Sequence, residues 1–85
     1  MARKKLYGFM ILGKDLLKYT DEVASLYGIV GAANMGDTWS LLFDKLNDAK
    51  SARNILEFIG ATVSKEAGEC WVDEQVYRSY RGDRI

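Results

Sequence analysis

The groups with the means for chemistry are few: two carboxylate pairs, Asp44/Asp48 and Asp73/Glu74, the lone Cys70, and the run Tyr77-Arg78-Ser79-Tyr80-Arg81. Paired carboxylates can divide acid and base roles. Here one pair falls at the start of a predicted helix and the other at the end of a predicted strand, where acidic residues have ordinary structural uses. The chain has no histidine, so the commonest general base and the Ser–His and Cys–His nucleophiles are absent. Cys70 has no second thiol with which to form a redox pair, and as a small hydrophobe it reads as a core residue. No histidine or cysteine cluster offers a metal site, and the glycines stand singly, without the spacing of a phosphate-cradling loop. The expectation is therefore a protein that is not an enzyme, with no cofactor and no metal.

The Tyr/Arg run suits stacking on bases and equally suits a protein interface, unless Tyr77 and Tyr80 fold back onto the domain. Charge is distributed unevenly. Arg3, Lys4 and Lys5 give +3 at the start, the residues from Gln75 onward give +2, and the middle carries −5, for a total of zero. A neutral whole argues against non-specific nucleic-acid binding as the main activity. The termini could still form one basic patch, Arg3, Lys4, Lys5, Arg78 and Arg81, if the fold joins them.

Eighty-five residues make one domain, 1–85, able to bury about 60–65% of its unfolded surface. The apolar fraction of 48% excludes a disordered chain. The basic start and apolar run Leu6–Leu12 resemble a signal peptide in outline, but Lys14-Asp15 stands where a cleavage site would be. With one cysteine and no disulfide, a cytoplasmic location is expected.

Leu6–Leu12 reads as a central strand covered on both faces. Asp15 is placed to cap a helix carrying Leu16, Tyr19, Val23 and Leu26, which Gly28 closes. Ile29–Met35 and Thr38–Phe43 form two strands joined by a glycine-first turn at Gly36-Asp37. A second helix begins near Asn47 or Asp48, with Ala49, Ala52, Ile55, Leu56 and Ile59 inward and an Arg53–Glu57 pair outside; Gly60 ends it. After a short extended piece at Ala61–Lys65, Glu69–Gln75 supplies the last strand. The expected fold is α+β: a ferredoxin-like βαββαβ sandwich, a four-stranded antiparallel sheet with two helices on one face.

From Trp39 onward the chain resembles RNA-recognition-motif domains. Phe43 ends the third strand, Asp48-Ala49 opens the second helix, and Ala52 follows in the same register. The likeness spans about a third of the chain and implies the scaffold. Where that family stacks bases, this chain carries Thr38 and Ser40, and Gly8 replaces an aliphatic residue of the first strand. The resemblance therefore implies architecture without the family's RNA-binding rings.

In such a sheet the face away from the helices is open. Tyr7, Phe9, Leu42 and Trp71 are the residues expected there, as an apolar surface for a protein partner or for a second copy in a homodimer. The alternatives are a nucleic-acid-binding protein using the basic terminal patch, and a small phage-type inhibitor acting by occlusion. No membrane association is expected.

Overall fold

A computed structural model describes residues 3–73 and 77–78. The chain runs β1 (Arg3–Leu12), α1 (Gly13–Lys18), α2 (Thr20–Ala24), β2 (Ile29–Asn34), β3 (Thr38–Phe43), α3 (Leu46–Ile59), β4 (Gly68–Asp73) and β5 (Tyr77–Arg78). Four principal strands form an antiparallel sheet in the order β4-β1-β3-β2, and the two-residue β5 lengthens it beside β2. The α+β class and the four-stranded antiparallel sheet agree with the sequence reading, and three helices stand where two were expected.

The apolar run of β1 earns its central position. Leu6, Phe9 and Ile11 are all buried although they lie on different faces of the strand. Antiparallel register sets Tyr7 opposite Phe43, Phe9 opposite Leu41 and Ile11 opposite Trp39. These residues face the helices: Phe9, Ile11, Leu41 and Phe43 form one core with Leu16, Val23, Ala49, Ala52 and Leu56. The rings of Phe9 and Phe43 stack with centroids 5.8 Å apart. Burying each large apolar side chain in this core contributes about 1.5–3 kcal/mol.

Leu6, Ala33 and Leu42 form a second cluster on the other face, together with the partly buried Val30 and Cys70. A bulge at Val30 makes this possible. Ile29 pairs with Phe43 and Gly31 with Leu42, so the strand changes facing within one step. No helical residue belongs to the cluster, yet Leu42 is 0% exposed. β4 and β5 lie on opposite edges of the sheet. Gly8 permits the tight approach of β1 to β3, because a Cβ there would overlap the Leu41 carbonyl oxygen.

Several local expectations change. The first helix is two short helices broken at Tyr19, whose ψ of 34° leaves the helical range. Thr20 Oγ1 donates to the carbonyls of Leu16 and Leu17 at 3.0 and 2.9 Å, offering the backbone an alternative to a continuous helix. Asp15 does not cap the helix. It is buried in the first turn of α1, where its Oδ2 accepts the Thr62 N–H at 2.8 Å and ties α1 to the segment after α3. The hairpin turn at Gly36-Asp37 forms as read, with the Met35 N–H bonded to the Thr38 carbonyl at 2.9 Å. The expected extended piece reduces to a single bridge between Ile11 and Val63. The fourth strand starts at Gly68, and its expected end at Gln75 lies outside the described residues.

Candidate functional site

The expected sheet-face surface does not assemble. Phe9 is in the helix-side core and Leu42 is buried on the opposite face, so neither reaches solvent. Tyr7 shares the helix-side face with Phe9 and is half-buried. Trp71 alone is well exposed, at 58%, on the edge strand β4 opposite Lys5. β1 is apolar on both sides, so alternation could not say which side met the helices, and a buried cluster lies on each side.

The described members of the expected basic patch lie on two strands, β1 and β5. Arg3 pairs with Asp73, so the end of β4 does lie beside the start of β1. Arg78 does not follow it there: its backbone pairs with Ala32 on the outer side of β2, three strands from β1. Lys4 lies opposite Val72, Lys5 is exposed with Nζ 5.9 Å from the Tyr7 ring centroid, and Arg81 lies outside the described residues.

Helix α3 supplies the surface that the sheet does not. Leu46–Ile59 is closed by Gly60, whose φ of 109° is left-handed and whose N–H reaches back to the carbonyls of the last turn. Around this helix the residues sort into three stripes. Ala49, Ala52 and Leu56 are buried against the sheet, and the two alanines let the helix axis sit close to it. Lys50, Arg53, Asn54 and Glu57 form a polar flank. There Arg53 Nη2 meets Glu57 Oε2 at 2.9 Å, and Arg53 Nε donates to the Ser64 carbonyl at 2.7 Å. The expected i,i+4 pair thus exists, but Arg53 is mostly covered and anchors the loop before β4 as well as pairing along the helix.

The third stripe is apolar and faces outward. Ile55, Phe58 and Ile59, spaced i, i+3, i+4, are 53%, 91% and 36% exposed. Sequence reading placed Ile55 and Ile59 in the core and gave Phe58 no role. The signal was there: four apolar residues among Ile55–Ile59 exceed what one buried stripe can absorb. The end of the ridge meets the junction of α1 and α2, where Tyr19 Oη donates to the Ile59 carbonyl at 3.2 Å and Lys18 Nζ lies 5.3 Å from the Tyr19 ring centroid.

The concavities are shallow. One of about 190 Å³ lies between Lys50, Arg53, Asn54, Lys65 and Glu66. Another of about 260 Å³ is bounded by Tyr27, Asp44 and Asp48 at the start of α3. Among the described residues, no group of three or more histidine, cysteine or acidic side chains could hold a metal ion. Burial pushes the Cys70 thiol above its usual value, which disfavours the thiolate a nucleophile needs. Among the described residues no helix is long and apolar enough to cross a membrane. Compared with family models, with curated proteins and with solved structures, the chain finds no match.

Proposed function

We propose that this chain is a non-catalytic interaction module that binds a protein surface through the outer ridge of α3. The observation that carries the reading is the exposure of Ile55, Phe58 and Ile59 on one side of a helix whose other apolar side is fully used by the core. Isolated apolar residues at a surface need no explanation, but a contiguous helical ridge of them marks an interaction site. The scaffold is read as ferredoxin-like, supported by the strand order β4-β1-β3-β2 and by helices that follow β1 and β3.

A photo-crosslinking side chain at position 58 tests the reading. In expressing cells it should yield discrete adducts that Ile55→Asp abolishes, while the same group at Lys65 yields none. Position-independent adducts, or none at 58, would remove the reading.

A further inference from the structure

We infer that the concavity between α3 and the loop before β4 is a binding site for a phosphoryl group. It measures about 190 Å³, with Lys50, Arg53 and Asn54 on the helix side and Lys65, Glu66 and Ala67 on the loop side. It lies on the polar flank of α3 and does not depend on the ridge. The loop is fixed through Ser64. The Ser64 N–H donates to the Met10 carbonyl at 3.0 Å, and Ser64 Oγ accepts the Met10 N–H at 3.1 Å and donates to the Glu66 carbonyl at 3.4 Å. The Ser64 carbonyl accepts Arg53 Nε at 2.7 Å. Arg53 is held in turn, its side chain 13% exposed and its Nη1 and Nη2 donating to Glu57 at 3.3 and 2.9 Å. Walls tied in this way need little ordering when a ligand arrives.

What these ties leave over is mostly donors. Lys50 and Lys65 form no ion pair among the described residues. Asn54 Oδ1 accepts Arg53 Nη1 at 2.8 Å, which leaves the Asn54 amide nitrogen to donate. The backbone N–H groups of Lys65, Glu66 and Ala67 meet no acceptor among the described residues. Consecutive backbone amides without acceptors are a recurrent element of anion sites. Glu57 neutralises Arg53, so two ammonium groups of the lining stand against the single carboxylate of Glu66. The complement to such a lining is a compact group rich in acceptors and carrying more than one negative charge. A phosphoryl group has three acceptor oxygens and a charge of about −1.5 to −2 at neutral pH; a carboxylate has two oxygens and one charge. The concavity is shallow, so whatever carries the phosphoryl group extends into solvent.

Amide nitrogen–proton correlation spectra of the full chain test this, titrated with inorganic phosphate, with glycerol phosphate, and with sodium chloride at matched ionic strength. Both phosphates should give saturable shifts at Lys50, Asn54, Lys65 and Ala67 that chloride does not reproduce. Lys50→Gln and Lys65→Gln should each weaken binding about three- to tenfold. Asn54→Asp, which sets a carboxylate among the donors, should abolish it with unchanged far-ultraviolet dichroism, and Lys14→Gln on α1 should leave it as it was. Tighter binding of glycerol phosphate supports a phosphate ester as the natural ligand, and equal or tighter binding of inorganic phosphate supports the free ion. Shifts that chloride reproduces, shifts centred elsewhere, or no shifts at all overturn the inference. So does an affinity indifferent to Lys50→Gln, Lys65→Gln and Asn54→Asp.

Discussion

Three single positions show how closely residue type is matched to its setting. At Gly8 any Cβ collides with the backbone carbonyl of Leu41, which cannot swing aside as a side-chain tip could. Gly8→Ala should therefore cost about 1–3 kcal/mol, read as a lower denaturant midpoint at unchanged slope. A variant as stable as the wild type would contradict the close approach of β1 to β3. Asp15 is a buried carboxylate bonded to the Thr62 N–H. Asp15→Ala leaves that donor without its partner and should cost about 1–3 kcal/mol. Cys70 presents a different case, a half-buried thiol whose burial raises its pKa. Its raised pKa keeps the thiol protonated to higher pH. Alkylation at neutral pH should accordingly be slower than for a free cysteine and should accelerate only as pH rises further; reaction at the free-thiol rate would show the burial to be wrong.

At the level of elements, legibility followed how uniquely each pattern could be satisfied. β3 was readable to the residue, Thr38–Phe43, because Trp39, Leu41 and Phe43 alternate with a turn before them and polar residues after. The end of α3 was readable because only a glycine takes the left-handed position at Gly60 without strain. The facing of β1 was not. Leu6, Phe9 and Ile11 fit a core on either side, and the choice was made by partners distant in sequence. The bulge at Val30 had no local mark either, since Gly31, Ala32 and Ala33 are small enough to face either way. In α3, Ile55 and Ile59 matched the helical period yet lie about a quarter-turn off the stripe that Ala49, Ala52 and Leu56 occupy. That offset hid the candidate site from the sequence. It also yields a contrast between elements. Leu42→Asp buries an unpaired charge in β3 and should prevent folding. Phe58→Asp on α3 should shift stability by no more than about 1 kcal/mol.

At the level of the whole molecule, buried clusters lie on both faces of the sheet and an exposed apolar ridge lies on the outside of one helix, which the proposed reading assigns to a protein partner. Along the backbone Arg3 pairs with Asp73 on β4 and Arg78 with Ala32 on β2. The most direct test is a photo-crosslinking scan in expressing cells over positions 55, 58 and 71. The account predicts discrete protein adducts from Ile55 and Phe58 and none from Trp71. Adducts from position 71 alone, or none from 55 and 58, would contradict an interaction surface on α3.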